Sequence, residues 1–173
     1  PPEEVAERCA QALATVGISP EPTPSNFLPL RVDFEEKMYA AGRIPGGFFR
    51  REGRPSDEAI LTARRIDRPV RPLLPPGLRH DVQIIATPIA AGRSSSIDLV
   101  SMVAASAAMS LSDAPFAGPL GAVQIGRVGG EFVVNPSFEQ VTEGDMALLV
   151  AAARQGIVMI ELQATQVSNT AIV

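Results

Sequence analysis

The chain has few of the residues that staple small proteins or bind metals in them. Cys9 and His80 are its single cysteine and single histidine in 173 residues. That excludes an internal disulfide framework and a Cys/His zinc site. No apolar run reaches the length of a membrane span, and nothing near the start reads as a signal peptide. No membrane partner is therefore expected, and a reducing, cytoplasmic setting is the expectation. An initiator methionine is also lacking: the chain opens on Pro1-Pro2 and closes on the apolar Ala171-Ile172-Val173. Both ends look cut, so a fragment of a longer protein is expected. Lysine is missing from the whole segment 43–79, although that segment is the most basic in the chain.

What remains is the balance of a globular protein, with 46% hydrophobic and 20% charged residues. The net charge of −4 is unevenly spread. Segment 43–79 holds nine arginines against Glu52, Asp57, Glu58 and Asp67, a local charge of +5 that leaves −9 for the rest. Such asymmetry points to an anionic partner at one place on an acidic body. Arginine suits that role because its planar fork grips phosphate and its face stacks on bases, where lysine offers a point charge.

Periodicity and breakers give a coarse map. Residues 1–11 read as a short amphipathic helix and 12–19 as a strand, which the proline-rich PEPTPS should end in a turn or loop. The stretch 42–55 contains four glycines and two prolines and reads as a loop. A helix is expected from Ser56, as N-cap, to Asp67, with Ile60, Ala63 and Ile66 on its apolar face. Leu61, Arg64, Arg68 and Arg71 share another face, which would stack three guanidinium groups. Pro69 should end or kink this helix near Asp67–Arg68. A buried strand follows at Val82–Ala90. An Ala- and Ser-rich central helix, Ile97–Ser112, is capped from Ser94-Ser95-Ser96. LGAVQIGRVGGEFVV reads as a hairpin turning at Gly129-Gly130, and Met146–Ala153 and Ile157–Leu162 as two adjacent strands. His80 reads as a surface turn residue and Cys9 as inert. The expected fold class is α+β, a mixed sheet packed against helices.

One motif carries chemistry. Phe48, Phe49, Arg50 and Arg51 stand together on the glycine-hinged loop GGFFRREGRP. Single-stranded nucleic acid needs that pairing, because bases stack on aromatic faces while guanidinium groups hold phosphates. Arg64, Arg68 and Arg71 would extend a phosphate track. A plainer reading stands beside this one: the phenylalanines plug the loop onto the core, and the arginines pair with Asp57, Glu58, Asp67 or other acids. Arg54 and Arg65 individually suit structural pairs.

Residues 27–87, with the motifs FFRREGRP and IDRPVRP, resemble the first ribonuclease PH-like unit of the bacterial polynucleotide phosphorylase family. ASAAMSLSDAPFAGPLGAVQIGRVGGEFVVNPS (105–137) and GDMALLVAAARQGIVMIE (144–161) continue the resemblance, as does SPEP at 19–22. It implies a ribosomal protein S5 domain 2-like unit over 12–162, followed by the start of a linker at 163–173. It further implies a homotrimeric ring that degrades RNA from the 3′ end, with inorganic phosphate as co-substrate and help from Mg²⁺. Single-stranded RNA and an RNA-degradation machinery are the implied partners. By matching motif, Phe48, Phe49, Arg50 and Arg51 inherit the grip on RNA at the channel entrance. Arg54, Arg64, Arg68 and Arg71 are implied along the neighbouring RNA path.

The family's catalytic stretch does not carry over. Its second unit has Asp-His-Leu-Gly-Asp-Met-Asp-Phe-Lys, and the matching residues here run from Val141 to Leu149. Val141, Ala147 and Leu149 stand where the outer aspartates and the lysine belong, and apolar side chains neither ligate Mg²⁺ nor steady developing charge. No catalytic residue and no metal ligand is therefore expected in this unit. Residues 1–11 do not resemble the strands that the family places before ALATVGIS, so an incomplete sheet with an unpaired edge is expected. Two rivals remain: a self-sufficient phosphorolytic enzyme using Asp98 or Asp113, and a scaffold whose arginines only build a ring interface.

Overall fold

The computed structural model describes residues 10–44, 46, 53–92, 94, 96–165 and 167–168. Two sheets and three helices make up the described chain. Sheet A comprises β1 (Ala10–Pro22), β2 (Leu30–Phe34) and β3 (His80–Ala91) in the order β1-β3-β2. β1 runs antiparallel to β3, and β2 parallel to it with Leu30 opposite Val82. The parallel pair needs a long crossover, which contains helix α1 (Asp57–Val70). Sheet B is antiparallel, in the order β5-β4-β6-β7, from β4 (Leu120–Val128), β5 (Glu131–Val134), β6 (Met146–Ala153) and β7 (Gly156–Ala164). Helix α2 (Ile97–Leu111) lies against β1, β3 and β4 and so ties the two sheets together. The short α3 (Phe138–Glu143) flanks β4.

The core is one cluster, with Ile66 and Val70 of α1, Ile84 and Ala86 of β3, and Met102, Ala105 and Met109 of α2 fully enclosed. Leu120, Ala151 and Met159 bring the inner face of sheet B onto it. Small residues on α2 allow close approach. Ser106 is buried, and its Oγ accepts a hydrogen bond from the Leu120 N–H at 2.8 Å, fixing the start of β4 to the helix. One side of α2 nonetheless meets water at Val103 and Ala107, so the helix is less enclosed than its composition suggests.

Several expectations hold at the level of single residues. Ser56 and Ser96 cap α1 and α2 through Ala59 N and Leu99 N. The β4–β5 hairpin turns at Gly129 and Gly130, whose φ values of 58° and 90° are cheap only for glycine.

Other expectations are corrected. The N-terminal helix expected over 1–11 gives way at its end, because Ala10 and Gln11 already belong to β1, paired with Ala91 and Ala90. Residues 1–9, including Cys9, lie outside the described residues. β1 also runs through Pro20 to Pro22, into the stretch read as a turn. It is an edge strand among the described residues, and an edge tolerates residues without an N–H. α1 continues through Pro69 to Val70 before a 3-10 turn, Arg71–Leu73. Pro69 and Val70 are buried, and the Arg71 N–H still reaches Asp67 O, so one missing bond near the helix end is offset by packing. The buried face of α1 is Ala59, Thr62, Ile66, Pro69 and Val70, whereas Ile60 is 44% exposed. His80 opens a strand, with Nδ1 2.9 Å from the Ser19 carbonyl oxygen.

Candidate nucleic-acid interface

The described arginines of segment 43–79 gather mainly at two places, while Arg79 stands apart and donates to the Ser25 carbonyl. The larger is a cavity of about 1060 Å³ between β2, the 3-10 turn Met38–Ala41, residues 53–55, α1 and the outer side of β3. Arg31, Lys37, Arg43, Arg54, Arg64 and Arg71 contribute to its walls. Arg64 on α1 and Arg71 in the 3-10 turn after it line the same cavity, and the turn after Phe34 adds Lys37 and Arg43 to its wall. An apolar wall includes Phe34, Ile60, Ala63, Ile85 and Pro88.

Internal pairs neutralise part of this charge. Arg31 pairs with Asp33 at 2.9 Å and Lys37 with Glu35 at 3.1 Å. Arg71 is held most firmly: it donates to both Asp67 oxygens, at 2.9 and 2.6 Å, and to the carbonyls of Leu28 and Leu30. The Asp67 hydrogen bond holds the Arg71 guanidinium above its ordinary pKa, with burial pulling the other way. Arg43, Arg54 and Arg64 are exposed and have no carboxylate within ion-pair distance among the described residues. These three leave a net positive, phosphate-seeking wall. The loop carrying Phe48, Phe49, Arg50 and Arg51 lies outside the described residues, but its flanks, Arg43 and Gly53–Pro55, both line this cavity.

The second place is a cleft of about 70 Å³ where α1 and α2 meet the inner face of sheet B. Arg65 donates from Nη1 to Asp98 Oδ2 at 2.8 Å and from Nε to Glu161 Oε1 at 2.9 Å. The other oxygen of Asp98 accepts from Thr62 Oγ1 at 3.1 Å, and Arg68 reaches Glu161 at 3.6 Å. Burial lowers the Arg65 pKa, but the hydrogen bonds and charges of Glu161 and Asp98 outweigh it and leave the pKa raised. Ala147 and Leu149 line this cleft, whereas Val141 sits on α3. Ala147 and Leu149 thus line a self-neutralised ion-pair cluster, and Val141 does not. Mg²⁺ does not fit here: both nearby carboxylates already hold guanidinium groups, and the remaining wall is Ser96, Gln124, Gln163 and apolar carbon. Asp113, the other acid considered for catalysis, is exposed beyond the end of α2.

Of the sequence-derived site residues, Arg54, Arg64 and Arg71 come together in the cavity. Arg68 leans toward Glu161 and away from them, so the three-guanidinium stack on α1 does not form. Arg43 was hidden because only loop closure brings it opposite α1. Glu161 was hidden because it lies 96 residues from Arg65.

Two family models cover nearly the whole chain. One, described as domain 1 of the 3′ exoribonuclease family, matches residues 9–115, and its domain 2 counterpart matches 118–172. The chain belongs to the 3′ exoribonuclease family. Curated relatives named polyribonucleotide nucleotidyltransferase are 50% identical over 159 residues in Exiguobacterium sibiricum and 48% identical over 161 residues in Thermus thermophilus. These alignments take in 92% and 93% of this chain but only 22% and 23% of those proteins. Among solved structures, rice Rrp46 superposes with a TM-score of 0.72 at 13% identity, covering 94% of this chain and 73% of that one. A chain of the Archaeoglobus fulgidus exosome with RNA bound to the active site gives 0.67 at 18% identity, covering 94% and 72%. These likenesses establish the ribonuclease PH-like α+β fold.

Proposed function

We propose that this chain is the RNA-gripping unit of a polyribonucleotide nucleotidyltransferase, a phosphate-dependent 3′-to-5′ exoribonuclease acting in mRNA degradation. The observation that carries the reading is the cavity in which Arg43, Arg54 and Arg64, each without an ion-pair partner among the described residues, face an apolar wall. Guanidinium groups take the phosphates of a single strand, while the apolar wall and the phenylalanines of the FFRR motif offer surfaces for bases. Catalysis belongs to a second unit, where Mg²⁺ and inorganic phosphate would be handled, because the cleft at Ala147 and Leu149 has neither free carboxylates nor a lysine. A homotrimeric ring in the cytoplasm, working with an RNA-degradation machinery, is the assembly this reading requires.

The test is a salt series of binding to a labelled single-stranded RNA, comparing the wild-type chain with the Arg54→Ala/Arg64→Ala variant. Each phosphate contact contributes about 0.7 to the slope of log affinity against log salt for single strands. The double variant should bind more weakly, with a slope shallower by about 1.4. An unchanged slope and affinity would remove the cavity from the RNA path.

A further inference from the structure

Sheet A turns Ala14, Val16 and Ile18 of β1 and Val82, Ile84 and Ala86 of β3 toward the core. Alternation along each strand sends Gly17, Gln83 and Ile85 to the opposite face. Strand pairing sets Arg31, Gln83 and Gly17 in one row across β2, β3 and β1, and Asp33, Ile85 and Thr15 in the next. Gln83 is exposed, and its Nε2 donates to Asp33 Oδ2 at 2.8 Å. A carboxylate only accepts, so this bond fixes which end of the amide faces Asp33. Arg31 holds the same carboxylate, with Nε 3.1 Å from Oδ1. Gln83 Oε1 and the second N–H have no partner among the described residues. They present an acceptor beside a donor on a paired strand. Across the row Gly17 supplies no side chain, and a Cβ there would meet no atom within 4 Å. An oriented amide thus stands beside a bare floor, with the apolar Ile85 in the next row.

We propose that Gln83 reads an adenine base lying over Gly17, which makes the outer face of sheet A a base-selective position for a bound single strand. The inference rests on the RNA-gripping reading, because Arg31, Asp33, Gln83 and Ile85 also line the arginine cavity. A strand with its phosphates on Arg54 and Arg64 has this face within the same cavity. The acceptor and donor of an amide match the amino group and ring nitrogen on one edge of adenine, the pairing by which glutamine reads that base. In a single strand both base edges are open to it. Selectivity comes from Asp33. Guanine, cytosine and uracil each carry a keto oxygen, which a neighbouring carboxylate repels because both groups only accept; adenine carries none. Gly17 lets the flat face of the base approach the backbone, where a side chain would stand in its way.

The experiment measures fluorescence anisotropy of labelled oligo(A) and oligo(U) of equal length on the wild-type chain, Gln83→Leu and Gly17→Val. The wild type should bind oligo(A) at least about fivefold more tightly, the lower end of what one bidentate base contact contributes. Gln83→Leu should lower oligo(A) affinity to the oligo(U) level and leave oligo(U) binding unchanged. Gly17→Val should do the same by filling the floor. The φ of Gly17 lies outside the left-handed region and valine favours strands, so the melting temperature of Gly17→Val should be no lower than that of the wild type. Equal binding of the two oligonucleotides by the wild type, or a preference that survives either substitution, would overturn the proposal while leaving the cavity as an RNA path. Binding of neither oligonucleotide would overturn it together with the reading on which it rests.

Discussion

Replacing Arg65 with methionine tests how the cleft at Ala147 and Leu149 is held together. The substitution keeps most of the apolar stem and removes two charge-assisted hydrogen bonds, to Asp98 at 2.8 Å and to Glu161 at 2.9 Å. The three side chains are 34%, 24% and 33% exposed, between a solvated surface pair and a buried one. A surface pair is worth about 0–1 kcal/mol, and orphaning a buried partner costs about 3–5 kcal/mol. Partial solvent screening places Arg65→Met at about 1.5–3 kcal/mol. At roughly 2–4 °C per kcal/mol for a domain of this size, the melting temperature should fall by about 3–12 °C.

Most of that loss comes from two stranded carboxylates. Adding Asp98→Asn and Glu161→Gln to Arg65→Met should therefore recover part of it. The pH dependence has a definite sign. Arg65 has its pKa raised in the fold, so its contribution is fully present below the unfolded value and is lost only as pH rises through the folded one. The effect of Arg65→Met should thus be constant from about pH 7 to about pH 10 as far as the guanidinium is concerned. Differential scanning fluorimetry gives the readout. A melting temperature within about 1 °C of wild type, or a neutral triple variant no more stable than Arg65→Met, would refute the reasoning.

Phe48→Ala/Phe49→Ala should weaken single-stranded RNA binding by about 1 kcal/mol or more if each ring stacks a base, read by fluorescence anisotropy. Equal affinity would make both rings packing residues. Ser106→Ala removes the buried acceptor of the Leu120 N–H and should cost about 1–3 kcal/mol in urea unfolding, with the m-value unchanged. Gly144→Ala would put a Cβ 2.7 Å from Arg127 O and 2.9 Å from Gln140 O. Backbone atoms cannot swing aside, so a loss of about 1–3 kcal/mol is expected, again measured by urea unfolding.

How far the sequence announced this molecule depends on whether the signal was local. Ser56, Ser96 and the Gly129-Gly130 turn could be read directly, because caps and positive φ values are set within a few residues. Thr62 could not: a hydroxyl on the buried face of α1 breaks the apolar pattern, and its partner Asp98 comes from another helix. That is why Ile60, which lines the cavity and is exposed, reads from the sequence as part of the apolar face, whereas Ala63 does pack against the core. Pro69 misled for a related reason, since only the packed core makes its missing hydrogen bond tolerable. The arginine-rich composition pointed to an anion. The division into free and neutralised arginines depended on Asp67, Asp98 and Glu161 arriving from separate elements.

The most direct test of the account incubates the 173-residue chain with single-stranded RNA, inorganic phosphate and Mg²⁺. Binding and the release of nucleoside diphosphates are followed in the same sample. The account predicts salt-sensitive binding with no diphosphate released. Phosphate-dependent release of nucleoside diphosphates would contradict it by placing the chemistry in this unit, and absence of RNA binding would contradict the gripping role.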